Sequence, residues 1–167
     1  MARTTIDLRP DRVYFEALGR FCNQFATLEA VMFNILAFYA RVPNNMARAL
    51  FPGTRVREAM QSIRRIILIQ DPGEENKSDL DNVFKHIQHI NTLRDAVLHQ
   101  GSILTDDKGR ITTNIVRNLT PERLVERSAS TETLNAATAD LFKICLHLVC
   151  HQTPTRFARG TRSPRGM

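Results

Sequence analysis

A chain of 167 residues with 43% apolar content points to a single domain with a sizeable core. No apolar run approaches the length of a bilayer span and the first residues lack a signal-peptide core, so no membrane association and a cytoplasmic location are expected. Four of the arginines that set the net charge of +6 lie after His151, which leaves only about +2 for the rest of the chain.

Three cysteines, Cys22, Cys145 and Cys150, are an odd and sparse set in apolar surroundings. They read as reduced core thiols, not as a disulfide framework.

The first element predicted is a long helix from Asp11 to Arg41. Leu18, Phe21, Phe25, Leu28, Met32, Ile35 and Tyr39 step by alternating three and four, an a/d seam over three heptads. Cys22, Glu29 and Leu36 form a second row beside it. Such a helix suits the spine of a bundle or a dimer seam, and Val42-Pro43 should end it. Asn44 to Phe51 reads as a short helix. Pro52-Gly53 is a turn, and Thr54 can cap the next helix, Arg55 to Gln70. That helix should bury Val56, Met60, Ile63 and Ile67. Its other face carries Arg55, Arg57, Arg64 and Arg65, a candidate RNA-facing stripe or a plain solvated face.

Asp71 to Lys77 reads as a polar loop. Ser78 with Asp81 resembles a capping box, and the fourth helix runs from Asp79 to about Gln100 with Gly101 at C′. After Gly101 the period changes. Ile103-Leu104-Thr105 and Arg110 to Ile115 flank Asp106-Asp107-Lys108-Gly109, a β-hairpin with a four-residue turn. Thr120-Pro121 starts a short helical turn, or else the segment to Arg127 is irregular. Ser130 can cap the last helix, Thr131 to about His151, with Leu134, Ala137, Leu141, Ile144 and Leu148 in its core row. Residues 1–152 therefore form one helical domain. Residues 153–167, with Arg156, Arg159, Arg162 and Arg165 spaced by three, have the composition of a disordered tail.

One residue breaks the pattern. On the fourth helix Leu80, Val83, Phe84, Ile87, Ile90, Val97 and Leu98 form the apolar stripe, and Arg94 projects onto its middle. A guanidinium cannot neutralise itself, so it must be paired or reach a cleft. Glu29 is a candidate partner for a buried ion pair that sets helix register. Phosphate binding is the competing role. His99 lies in the last turn, where a helix C-terminus favours the imidazolium form. Asp95, four residues earlier, shares its face and can orient the ring, and Asn91 extends the row. Five residues separate Arg94 and His99 by roughly 140°, so they can share a phosphate at a helix end or across a subunit interface.

The segment Ile90 to Gly101, with Arg94-Asp95-Ala96-Val97-Leu98-His99, resembles the signature of the HEPN superfamily. That resemblance implies an all-α antiparallel bundle of four to five helices, here with a small β-hairpin inserted after the motif helix. It also implies a homodimer in which two motifs face each other, and metal-independent cleavage of RNA without a cofactor. Arg94 would stabilise phosphate charge, His99 would be the acid or base, and Asp95 would support both. The superfamily includes members that do not cleave. The alternative is thus a non-catalytic helical dimer, a nucleotide-binding module or partner of an antitoxin-type protein, with Arg94 in a structural ion pair. His147 and His151 stand at i, i+4 without a third ligand at a persuasive spacing, which reads as a surface pair and not a metal site. His86 and His89 read as solvated.

Overall fold

The computed structural model describes residues 9–70, 73–105, 109–114 and 125–151. The arginine-rich tail, the Thr120-Pro121 segment, Asp71-Pro72 and the tip of the hairpin lie outside the described residues. Among the described residues there are five helices and a small sheet: α1 (Arg9–Ala40), α2 (Asn44–Leu50), α3 (Val56–Gln70), α4 (Glu74–Gln100) and α5 (Thr131–His151), with β1 (Ile103–Thr105), β2 (Gly109–Thr113) and β3 (Glu126–Ser128) between α4 and α5; α1, α3, α4 and α5 share one core.

The long helix α1 is the spine. It packs most extensively on α5, then on α3, and α4 closes the core against α3 and α5. The heptad row is the reason: Phe21, Phe25, Leu28, Met32, Ile35 and Tyr39 are all buried, as are Val56, Met60, Ile63 and Ile67 of α3 and the complete row Leu134 to Leu148 of α5. Each fully buried side chain of this kind adds about 1.5–3 kcal/mol relative to its exposed state. Leu98 departs from the expected α4 stripe and stands half exposed.

Two helices depart from the expectation that no apolar run approaches the length of a bilayer span. Arg12–Ala40 and Thr131–Cys150 have mean hydropathies of 1.3 and 1.2, long and apolar enough to cross a bilayer. Both also contribute rows to the core, α1 from Tyr14 to Tyr39 and α5 from Leu134 to Leu148.

The helix ends show why the sequence stops where it does. Arg41 takes φ +55°, the Arg41 N–H donates to Phe38 O at 3.1 Å, and the Val42 N–H donates to Ala37 O at 3.2 Å. This is a Schellman motif with arginine in the left-handed position that glycine usually takes. Arg55, not Thr54, is the N-cap of α3. Its carbonyl accepts from the Ala59 N–H at 2.9 Å, and Glu58 reaches back to accept from the Arg55 N–H at 3.1 Å, half of a capping box. The Thr54 hydroxyl instead donates to Phe51 O. Ser130 does cap α5, its Oγ accepting from the Thr133 N–H at 3.2 Å.

The fourth helix begins at Glu74, five residues before the expected start. Gly73 adopts φ +91°, a region open to glycine, and two glutamates in the first turn suit the helix dipole. Residues 74–78 are polar, so no apolar period marks them. Gly101 ends α4 with φ +71° and ψ −171°.

The hairpin is not an isolated insertion. Strand β2 pairs antiparallel with β1, Ile103 opposite Ile111, and also with β3, Ile111 opposite Ser128 and Thr112 opposite Arg127. Gly109 is already paired with Thr105, so the connection is one residue shorter than expected. Contacts to α4 and α1 seat the sheet on the helices. Thr112, 1% exposed, donates from Oγ1 to Ala96 O of α4 at 3.1 Å. The Arg110 guanidinium lies 4.1 Å from the Tyr14 ring centroid, and Ser102 donates to the Tyr14 hydroxyl oxygen at 2.8 Å.

Candidate functional site

The last three turns of α4 carry Asn91, Arg94, Asp95 and His99. Together with Glu29 of α1 and the first turn of α3 they line one open recess of about 390 Å³. Arg55, Arg57 and Glu58 form its α3 wall. Two segments distant in sequence thus converge: the N-terminus of α3 and the C-terminal half of α4.

Arg94 does sit at the margin of the core, and the way it is accommodated differs from the expected ion pair. Its guanidinium carbon is 5.2 Å from the centroid of the Phe25 ring, over the seam of α1. Its Nη1 donates to Asp95 Oδ1 at 2.9 Å, and the two side chains are 28% and 47% exposed. The carboxylate partner is therefore the next residue along the helix. Among the described residues no ion pair joins Arg94 to Glu29. The physical reason is reach: a long stem lies along apolar surface while its head leaves the core for the recess. One hydrogen bond engages one of five N–H donors, so most of the fork stays available to a ligand.

Asp95 likewise acts differently from expectation. Its Oδ1 accepts from Arg94 and its Oδ2 accepts from Asn91 Nδ2 at 3.2 Å. The carboxylate orients Arg94 and Asn91, while no hydrogen bond between Asp95 and His99 is present among the described residues. His99 is exposed at the rim. The 140° that separates it from Arg94 on the helix is spanned by the breadth of the recess, which both side chains line.

The charges around the recess balance. Arg55, Arg57 and Arg94 face Glu29, Glu58 and Asp95. Two of the acids have local work, Asp95 on Arg94 and Glu58 on the α3 cap. The first turn of α3 adds unpaired N–H groups and the positive end of its dipole to the same wall. The field of Arg94 reaches across to α1. Burial raises the Cys22 thiol above its ordinary range, and the Arg94 charge pulls it partly back.

The expected basic stripe divides. Arg55 and Arg57 reach the recess. Arg64 turns to α4 instead, pairing with Asp81 at 2.9 Å and lying 5.2 Å from the Phe84 ring centroid, and Arg65 is exposed on α3 outside the recess. His147 Nε2 lies 3.0 Å from Asp79 Oδ2, linking α5 to α4, while the side chain of His151 is outside the described residues. His86 and His89 are exposed.

A second polar cavity of about 320 Å³ adjoins the recess and shares Arg57, Asn91 and Asp95 with it. Its further lining includes Gln88, Gln100, Asn114 and Arg127. Sequence reasoning missed these residues, since the strand that carries Arg127 has no alternating pattern: Glu126, Arg127 and Ser128 are all exposed. No protein-family model matches the chain, and no curated protein or solved structure matches it either.

Proposed function

We propose that the chain is a HEPN-like RNA-binding protein and a metal-independent endoribonuclease. The observation that carries this reading is the convergence of Arg94, His99 and the Asp95–Asn91 pair with Arg55 and Arg57 on one open recess. Cleavage of RNA needs a proton taken from the 2′-hydroxyl, stabilisation of charge on phosphorus, and a proton given to the departing 5′-oxygen. The 2′-oxygen bonds to phosphorus as the bond to the 5′-oxygen breaks, which leaves a 2′,3′-cyclic phosphate and a 5′-hydroxyl.

Arg94, held by Asp95, is the group that meets the developing charge. The first turn of α3 supplies N–H donors of the kind that bind phosphates. His99 transfers the proton at one end of the reaction. One imidazole in the recess serves one of the two transfers, and a homodimer in which two recesses face each other supplies the second. The test is cleavage of single-stranded RNAs of varied sequence in EDTA. Wild type should leave cyclic-phosphate ends, and His99→Ala should abolish cleavage with the helical circular dichroism unchanged. Intact RNA after prolonged exposure to concentrated wild-type protein would overturn the nuclease.

One feature favours the second reading, a non-catalytic helical dimer or partner-binding module. Phe142, Leu146 and Val149 form a row on α5, each about half exposed. Under that reading Leu146→Glu shifts the sedimenting mass and His99→Ala changes nothing measurable.

A further inference from the structure

Resting on the RNA reading above, we infer that the adjoining cavity is a nucleobase subsite, and that the ligand is single-stranded RNA of at least two nucleotides rather than a free phosphate or mononucleotide. The two cavities meet along the Asn91–Asp95 row of α4 and share Arg57. Their chemistry differs. The recess beside Arg94 is lined mainly by charged groups, whereas the adjoining cavity adds the neutral amides Gln88, Gln100 and Asn114 to the shared Asn91, with apolar surface from Met60, Ala96 and Val125 and charge from Arg57, Asp95 and Arg127.

A phosphate calls for cations and N–H donors. An unstacked base calls for an apolar surface under its ring and for donors and acceptors along its edges, and amides present both kinds at once. Gln88 of α4 is exposed to this cavity, and its backbone carbonyl accepts from Thr92 Oγ1 at 2.9 Å, an arrangement that its side-chain amide does not disturb. Asn114 Oδ1 accepts from the Val125 N–H at 2.7 Å and so closes the sheet wall at the end of β2.

Register explains the cation on this wall. Arg127 stands opposite Thr112, and directly paired residues point to the same side of a sheet. Thr112 bonds α4, so Arg127 belongs to the α4-facing side. Arg57 at the junction and Arg127 beyond it flank the course of a connecting phosphodiester. From Gln88 to His99 the helix advances about 16 Å, more than one phosphate occupies and enough for successive nucleotides.

The test uses the full chain and a fluorescent 2′-O-methyl RNA tetramer, which binds without a free 2′-hydroxyl to attack. It is compared with tetramers carrying one abasic residue at each position in turn. Wild type should bind the intact tetramer about tenfold more tightly than one of the abasic probes. Gln88→Ala should erase most of that difference while leaving the affinity for that abasic probe unchanged. Arg94→Ala should weaken both. If Gln88→Ala leaves the intact-to-abasic ratio as in wild type while Arg94→Ala still weakens both probes, the base subsite is wrong and the phosphate recess stands. If wild type binds neither probe, the RNA reading itself fails and the subsite with it.

Discussion

Truncating Arg94 to alanine separates a buried structural ion pair from a guanidinium that snorkels into a recess. A buried pair broken by removing one partner costs about 3–5 kcal/mol, because the other charge is orphaned. The observed environment predicts far less. The Arg94–Asp95 pair is 2.9 Å long with side chains 28% and 47% exposed, in the range where ion pairs contribute at most about 1 kcal/mol. The contact with Phe25, at 5.2 Å, adds about 0.5–1 kcal/mol. Asp95 remains solvated and keeps Asn91 as a donor, so its charge is not orphaned. Arg94→Ala should therefore destabilise by about 1–2 kcal/mol. Urea unfolding followed by circular dichroism measures it, with Asp95→Asn and the double variant completing a cycle whose coupling should stay at or below about 1 kcal/mol. RNA binding by the folded variant should be weakened and cleavage lost. A stability loss beyond about 3 kcal/mol would refute the snorkelling account and restore the buried pair.

Three further outcomes follow from the fold. Arg41→Gly, at the left-handed position that ends α1 with φ +55°, should raise stability by about 0.5–1 kcal/mol in urea unfolding, since glycine meets no Cβ clash there. Thr112→Val should lower it by about 1 kcal/mol, the worth of the hydroxyl bond to Ala96 O; unchanged stability would mean that packing alone seats the sheet. Burial raises Cys145 and Cys22 above the ordinary thiol value of 9.0 and Tyr39 above the ordinary phenol value of 10.0. A raised acid keeps its proton longer in the folded state, so its contribution to stability is complete below those ordinary values and is lost as pH rises beyond them. Melting temperatures measured from neutral to alkaline pH should fall above about pH 9, and Cys145→Ala should make that fall shallower; a melting temperature independent of pH up to 11 would count against the buried thiols.

How legible the site was depended on which signal each part carries. The α4 segment stood out because Arg94 violates an apolar period, and that violation is visible without coordinates. Arg55 and Arg57 were visible only as half of a basic face. Nothing in the sequence separates them from Arg64, which pairs with Asp81, because the division depends on where α4 crosses α3. Arg127 and Asn114 were not legible at all. A three-residue polar strand has no periodicity, and it exists because β2 offers a free edge for it to pair with. The early start of α4 was hidden for a related reason: its first turn carries no apolar residue, and only the backbone freedom of Gly73 marks it.

By itself the sequence determined the helices that bury a face. Apolar side chains must leave water, so their spacing records the 3.6-residue period of α1, α3 and α5 and names the core residues. It also marked Arg94 as a charge in need of accommodation. Only the tertiary structure decided how that charge is met. Packing between elements far apart in sequence sets the Phe25 ring against Arg94, the neighbouring Asp95 takes its hydrogen bond, and Glu29 lines the recess without an ion pair to Arg94 among the described residues. The same packing joined the start of α3 to the end of α4 and set the sheet beside them, which turned a helical motif into a recess with a second cavity at its side.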